Sequence, residues 1–517
     1  RKYRFTPQET KLRTGKTACI KPSDGPRQVT IERLDMLRGV ADVKFTRSAG
    51  LPLDEMDLIP PMPIGNKILR AAIASVTDAL IAGAPSARAV RQFLKREPPR
   101  FQTPGRKACI VGDVADRPAA ISEAIADMDE TVLAIQGPPG TGKTYVSALS
   151  IVDLVRAGKR VAVSSNSHKA IENLLIAIAR RAQSEGVTCA IAQKVGELDD
   201  EPPHPGIEQV KDNENPAIEF ANVVGGTAWH LARYEAPAFD HLFVDEAGQV
   251  SIANIVAMSG VAANIVLVGD PMQLPQPIQG SHPGQSGQSS LEYFLAGHRV
   301  VPDDRGIFLP VSRRMHGGVC EFISTAVYDG KLRNDAGAQL QTLTDPNGGS
   351  RTGAHLVEVE HEGCSQSSPE EVTAIAATIK ELLGSTYRDR DGKTRKIGLK
   401  DFLVVAPYNA QVNELTLGLP KGVRVGTVDK FQGQEAPICL VSMTTSSAEE
   451  LPRDINFLFS LNRINVAVSR AQVLALVFAS PRLLNVPCRT IEQMKLVNTL
   501  CALREHGLAP ADLEPVQ

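Results

Sequence analysis

Hydrophobic positions fall into short, largely apolar runs separated by stretches of helical spacing. Val132–Ile135, Arg160–Ser164, Ala221–Val224, Leu242–Val244 and Ile265–Val268 form one set. Leu403–Ala406, Val423–Val425, Ile438–Met443 and Val473–Phe478 form a second. Apolar runs of this length between helices are what a parallel sheet covered on both faces requires. Two sets predict two α/β lobes, over residues 129–300 and 301–517. Residues 1–60 carry alternating runs such as Gln28–Leu34, which predict a small β-rich module. Residues 61–128 predict a helical stalk. There Ile64 to Leu94 is apolar at Ile68, Leu69, Ile73, Val76 and Leu80, and a second helix runs near Ala119 to Asp127. Gly196–Pro216, Gly280–Ser290 and Asn334–Gly353 are polar or rich in Gly and Pro and are expected to be flexible. The charged stretch Arg388–Lys396 is expected to join two elements.

Bulk numbers add little. A chain of 517 residues exceeds a single domain of about 150. Its 43% hydrophobic and 22% charged content is ordinary for a globular protein, and a net charge of −2 advertises no polyanionic partner. No apolar run approaches the roughly 18 residues of a membrane span. Eight scattered cysteines without a C-x-x-C argue against a structural zinc or iron–sulfur site and fit a reducing, cytoplasmic setting.

The chemistry begins at Gly137-Pro138-Pro139-Gly140-Thr141-Gly142-Lys143-Thr144, between the run Val132–Ile135 and a helix predicted over Tyr145–Val155. Strand, glycine turn and helix start form a phosphate-binding loop, whose N–H groups and helix dipole favour phosphate oxygens. Lys143 would reach the β- and γ-phosphates of ATP, and Thr144 would ligate Mg²⁺. Thr14-Gly15-Lys16-Thr17 lacks the first glycine and a preceding strand, and is set aside. About 100 residues on, Leu242–Val244 ends in Asp245 and Glu246, a metal-shell acid and a residue that orients or deprotonates water. The next strand ends in Gly269-Asp270-Pro271-Met272-Gln273-Leu274, whose Gln amide can sense a γ-phosphate.

Together these blocks resemble motifs I, II and III of superfamily 1 helicases, and the order continues. Ser312–His316 is similar to motif IV, Ala406–Gln411 to the P-Y-x-x-Q element, Val425–Glu435 to motif V and Asn462–Ala471 to motif VI. The seven blocks span residues 137–471. Their wording is closest to the nonsense-mediated-decay-type subgroup, and closer still to bacterial proteins in which such a helicase follows a RecB-like nuclease domain. The Arg1 start fits a piece separated from such a nuclease, expected as a covalently linked or associated partner. The resemblance implies two RecA-like lobes with ATP and Mg²⁺ between them, and a monomer moving 5′ to 3′ along single-stranded nucleic acid, DNA favoured over RNA. It implies Arg314 and Arg470 as second-lobe arginines at the γ-phosphate, and Gly433 and Glu435 at the nucleotide, Glu435 on the ribose. Arg463 is expected to share a helical face with Arg470. Ser165, Asn166, His168, Thr227, Trp229, Asn409 and Thr427 match positions that grip nucleic acid. For Trp229 a place in the core stands as an equal reading. Two positions depart from the pattern: Arg117 stands where an adenine-reading Gln is usual, and Arg313 where an aromatic residue precedes the motif IV arginine. RNA remodelling and a nucleotide-binding scaffold remain the alternatives.

Overall fold

The computed structural model describes residues 1–6, 10, 12–20, 27–36, 38–60, 65–107, 116–199, 201–234, 236–276, 278, 280–431, 433–452 and 454–507. Ile64, Cys109 and Gln432 lie outside the described residues. The chain divides into two units, Arg1–Asn66 and Lys67–Gln517.

The first unit is the expected β-rich module. Strands β1 (Lys2–Arg4), β2 (Thr17–Ile20), β3 (Arg27–Asp35), β4 (Val40–Phe45) and β5 (Leu58–Ile59) form an antiparallel sheet in the order β1-β4-β3-β2-β5. Alternation buries Ala18, Ile20, Val29, Ile31, Ala41 and Val43 in one cluster, as the period-two geometry of strands demands.

The second unit opens with helices Lys67–Ile81 and Arg88–Lys95, bent by 114° where one continuous helix was expected. Gly83 has φ +70°, and Ala84 is extended at ψ 142° because the Pro85 ring disfavours a helical residue before it. Among the described residues no single helix is long and apolar enough to cross a membrane.

The first lobe is an eight-stranded, wholly parallel sheet. Its strands are β6 (Val132–Gln136), β7 (Val161–Ser164), β8 (Ile191–Lys194), β9 (Ile207–Val210), β10 (Val223–Gly225), β11 (Phe239–Val244), β12 (Ala262–Gly269) and β13 (Gly306–Phe308), in the order β13-β6-β12-β11-β7-β10-β8-β9. Both faces are covered. In β6, Val132 and Ala134 join one buried cluster while Leu133 and Ile135 join the cluster on the other side. That two-sided burial is why these strands read as unbroken apolar runs.

A short pair, β14 (Val311–Ser312) with β15 (Arg333–Asn334), leads into the second lobe. There β16 (Thr342–Thr344) pairs with a hairpin of β18 (Thr386–Arg388) and β19 (Thr394–Lys396), while β17 (Gly353–Glu358), β20 (Phe402–Ala406), β21 (Arg424–Thr427), β22 (Ala436–Ser442) and β23 (Ala471–Ala479) form a parallel sheet in the order β17-β23-β22-β20-β21. Again one strand feeds two clusters: Leu403 and Val405 of β20 on one side, Phe402, Val404 and Ala406 on the other. The nine predicted strands are all present, and two RecA-like parallel-sheet lobes describe the architecture.

The sequence reading passed over several elements. Strand β9 lies inside Gly196–Pro216, β16 and the helix Ala336–Gln339 lie inside Asn334–Gly353, and Arg388–Lys396 is mostly a β-hairpin rather than a plain connection. Strand β13, past residue 300, pairs with β6 and completes the first sheet.

Candidate nucleotide and nucleic-acid site

Because the first sheet is parallel, its strands deliver their C-terminal ends to one edge, where ligands bind in open α/β sheets. The phosphate loop follows β6 and runs into helix Lys143–Arg156. It is tied to the end of β12 by Gly137 N–H donating to Gly269 O at 2.9 Å. Thr141 Oγ1 donates to Pro138 O at 2.8 Å, and Lys143 Nζ to Gly137 O at 2.7 Å. Thr144 is exposed at the helix start.

The second lobe lies directly across this loop. Arg313 N–H donates to Gly140 O at 2.8 Å and Ser312 Oγ to Pro139 O at 3.0 Å. Gly140 has φ +76°, and a Cβ there would sit 2.5 Å from Arg314 Cβ. Only glycine satisfies both the backbone conformation and the close approach.

Asp245 and Glu246 stand at the end of β11, beside the loop. Asp245 is buried, and its Oδ1 accepts from Glu246 N–H at 2.9 Å. Burial pushes its carboxyl up to about 7, the Glu246 charge adds to this, and the Lys143 ammonium works against it. Glu246 holds φ +50°, a left-handed conformation uncommon outside glycine and often found at functional sites. Among the described residues no three His, Cys, Asp or Glu side chains converge as a metal cage. The Asp245 carboxylate and the Thr144 hydroxyl are oxygen donors of the kind a hard cation such as Mg²⁺ takes, with its remaining ligands from phosphates and water.

Gln273 follows β12, and its Nε2 donates to Asp270 Oδ2 at 3.1 Å. Asp270 is almost wholly buried. It also accepts from Met272 N–H at 3.1 Å, Gln136 Nε2 at 3.3 Å and, from the second lobe, Tyr328 O–H at 2.6 Å. Burial raises its carboxyl, while Lys143 and the Tyr328 hydrogen bond pull it back. Asn465 Nδ2 donates to Tyr328 Oη and to Met272 O, both at 2.8 Å. Asn462 Nδ2 donates to Pro271 O at 2.9 Å and to Gln273 O. The Gln273 turn is therefore held from both lobes. Sequence reasoning missed Asp270, Tyr328 and Asn465 as a unit.

On the second-lobe side Arg314 Nε meets Glu435 Oε2 at 2.5 Å, and its Nη1 donates to Ser469 O at 3.3 Å. The other Glu435 oxygen accepts from Gln472 Nε2 at 2.9 Å. Arg470 is 4% exposed; its Nη1 donates to Gln434 O at 3.2 Å while its Nε has no hydrogen-bond partner. Burial first, then the neighbouring Arg314, push its guanidinium down to about 10; Glu246, across the cleft, works against them. A buried guanidinium with an unsatisfied donor beside the phosphate loop is suited to an anion, so the residues present fit a nucleotide phosphate. Gly433, with φ +80°, lies exposed on the same segment as Gln434.

The expectation for Arg463 needs correction. The helix Leu461–Val468 ends before Arg470, because the chain must start β23 at Ala471, opposite Ala436. The two arginines therefore do not share a helical face. Arg463 lies 3.7 Å from Asp429 and stacks on the Phe457 ring at 4.3 Å.

The residues expected to hold nucleic acid sit at neighbouring strand ends. Ser165, Asn166 and His168 follow β7, and Thr227 and Trp229 follow β10, its direct neighbour. Ser165 Oγ is buried without a hydrogen-bond partner, while Asn166 and His168 are exposed. Trp229 is half-buried and packs on the first lobe's apolar cluster. In the second lobe Asn409 is exposed after β20, and Thr427 ends β21, the strand beside it.

Two AAA-domain family models match, over residues 115–286 and 287–482. The chain is 25% identical over 416 residues to the Arabidopsis thaliana DNA replication ATP-dependent helicase/nuclease JHS1, covering 74% of this chain and 29% of that protein. It is 26% identical to the Drosophila melanogaster regulator of nonsense transcripts 1 homolog, covering 68% and 33%, and to the Mesocricetus auratus DNA-binding protein SMUBP-2, covering 71% and 42%. These matches support a likeness to superfamily 1 helicases. The chain spans 29–42% of the length of these relatives, so their whole activities do not pass to it with the match.

Proposed function

We propose that this superfamily 1 helicase-type chain hydrolyses Mg²⁺-ATP between its lobes and uses the cycle to move along single-stranded nucleic acid. DNA is the favoured track and 5′ to 3′ the favoured direction. The observation that carries the reading is Arg470, a buried second-lobe guanidinium with an unsatisfied Nε, electrostatically coupled to Glu246 across the cleft. Phosphoryl transfer is mainly positioning and charge stabilisation, to which such an arginine contributes about 10³–10⁵ in rate. Lys143 and the loop amides hold the phosphates, Thr144 and Asp245 hold Mg²⁺, Glu246 takes the proton of the attacking water, and Gln273 orients that water or the γ-phosphate. ATP then favours the closed cleft, and hydrolysis removes the preference. Grips at the strand ends of both lobes, Ser165 and Thr227 against Asn409 and Thr427, convert that change into a step. Relatives named as DNA replication helicase/nucleases support DNA and an associated nuclease partner; the relative named for nonsense transcripts keeps RNA as the second reading.

The test is steady-state ATP hydrolysis alone, with single-stranded DNA and with single-stranded RNA, Lys143→Ala serving as blank. Stimulation by DNA that the variant abolishes is expected. Stimulation by RNA alone would replace the track, and no hydrolysis under any condition would overturn the motor reading.

A further inference from the structure

The Arg314–Glu435 pair belongs to a closed ring of hydrogen bonds. Glu435 Oε2 accepts from Arg314 Nε at 2.5 Å, and its Oε1 accepts from Gln472 Nε2 at 2.9 Å. Gln472 Oε1 accepts from the Tyr387 hydroxyl at 3.1 Å, and Gln341 Oε1 accepts from the same hydroxyl at 2.7 Å. Gln341 Nε2 then donates to Arg314 O at 2.8 Å and closes the ring. Its members come from separate stretches of the second lobe. Arg314 follows β14, Gln341 precedes β16, Tyr387 is central in β18, Glu435 precedes β22 and Gln472 lies in β23. All five line one cavity of about 470 Å³ that reaches Gly140 of the phosphate loop.

Both glutamine amides have their orientation set from the side away from Tyr387. The Glu435 carboxylate takes the Gln472 amino group, and the Arg314 and Ala338 carbonyls take that of Gln341. Each amide oxygen is thereby turned to Tyr387, which supplies the donor. Tyr387 is almost wholly buried, and burial pushes its hydroxyl up to about 12, so it keeps its proton at neutral pH. That hydroxyl ties the Arg314 carbonyl to the Glu435 carboxylate. The β18–β19 hairpin holds the preceding carbonyl too: Arg390 Nη1 donates to Arg313 O at 2.6 Å, and its Nη2 to Asp335 Oδ2 at 3.1 Å. Two consecutive carbonyls are thus fixed by side chains the hairpin carries or orients, on the segment whose Arg313 N–H bonds Gly140 O.

We propose that Tyr387 is a positioning residue of the nucleotide site, acting through Gln341 and Gln472 to set the Arg314 guanidinium and the Glu435 carboxylate beside the phosphate loop. The hairpin is then part of the hydrolysis machinery. This rests on the nucleotide-hydrolysis reading above and adds a residue to it. Phosphoryl transfer depends on position, and a misplacement of about 1 Å can cost about 10²-fold. Tyr387→Phe keeps the ring and removes only the hydroxyl. Steady-state ATP hydrolysis, and calorimetric binding of the non-hydrolysable β,γ-imido-ATP, are measured on the full chain, Tyr387→Phe, Arg314→Ala and the double variant. Tyr387→Phe is expected to lower kcat/KM about tenfold and to weaken the analogue, yet to cost less than about threefold more once Arg314 is gone. Gln472→Leu opens the same ring elsewhere and should give the same loss. Arg395→Ala, which removes the guanidinium 5.3 Å over the Tyr387 ring and its pair with Asp401 but leaves the hydroxyl, should stay within about twofold of the unaltered rate. A merely structural Tyr387 would cost the same factor with and without Arg314, which would overturn the assignment. So would an unaltered Tyr387→Phe, or an equal loss in Arg395→Ala. Binding without hydrolysis in the unaltered chain would remove the motor, and the binding cycle alone would then decide the assignment. Failure of the unaltered chain to bind nucleotide would remove both.

Discussion

Replacing Tyr328 with Phe isolates the link between the two lobes at the Gln273 turn. The ring volume stays, so no cavity opens; one hydroxyl is lost. That hydroxyl donates to Asp270 at 2.6 Å and accepts from Asn465 Nδ2 at 2.8 Å, all three residues being buried. A hydrogen bond to a charged group contributes about 1.5–3 kcal/mol. Asn465 keeps its bond to Met272 O, but its second N–H loses its acceptor in a buried place, which moves the cost to the upper part of that range. The expected destabilisation is therefore about 2–3 kcal/mol. The pH dependence has a definite sign. Burial holds the Asp270 carboxyl above its ordinary value in the folded chain, so the stability tied to its bound proton is lost as pH rises through the folded value. Above that point Asp270 is ionised, the Tyr328 bond is charge-assisted, and its removal costs most; below it the bond is neutral and costs less. Urea unfolding of both proteins at two pH values measures this, with the loss expected to grow toward alkaline pH. The hydrolysis assay adds the functional arm. Gln273 keeps its own bond to Asp270, so the unstimulated rate should stay within about twofold while stimulation by nucleic acid falls about tenfold, the equivalent of 1.4 kcal/mol of lost coupling. An equal loss of stability at both pH values, or full stimulation, would refute the argument.

Other substitutions separate roles that distance alone leaves mixed. Asp245→Asn should abolish hydrolysis yet raise the melting temperature of the nucleotide- and metal-free protein at pH 8. The Asp245 carboxyl sits at about 7 when folded against an ordinary 3.8, so its cost to folding builds as pH rises between these values and is complete above 7; the gain should be smaller at pH 6. Gly140→Ala places a Cβ 2.5 Å from Arg314 Cβ at φ +76°, so nucleotide affinity should fall at least about tenfold by titration; unchanged affinity would show that the loop yields freely. Arg470→Ala should lower the hydrolysis rate by about 10³. Arg463→Ala should cost hydrolysis less than about threefold, since it removes only a partly exposed pair with Asp429 and a stack on Phe457, each about 1 kcal/mol or less in stability.

What could be read from the sequence follows from how each feature is buried. Strands covered on both faces, such as β6 and β11, stand out as apolar runs. Strand β9, Ile-Glu-Gln-Val, forms the sheet's edge and leaves Glu208 exposed, so it is indistinguishable from the polar loop around it. The phosphate loop was legible because its glycines, Lys143 and Thr144 are consecutive. The Asp270–Tyr328–Asn465 set was not, since its hydrogen bonds join residues 58 and 137 positions apart and none of the three is a chemical rarity. Helical spacing put Arg463 and Arg470 on one face only as long as the helix continued, and pairing of Ala471 with Ala436 ends it at Val468. The features hidden from the sequence are thus contacts between distant segments, above all those across the cleft. Met272, Leu274, Val300 and Phe308 carry some apolar surface to the second lobe's cluster, while Ser312, Arg313, Tyr328, Asn462 and Asn465 meet the first lobe through hydrogen bonds. Bonds of this kind, individually about 0.5–1.5 kcal/mol net, leave a closure that differential nucleotide binding of about 5 kcal/mol can make or release. A cleft sealed by a continuous apolar core would require far more, and the motor proposed above, whose lobes must separate in every cycle, could not use it.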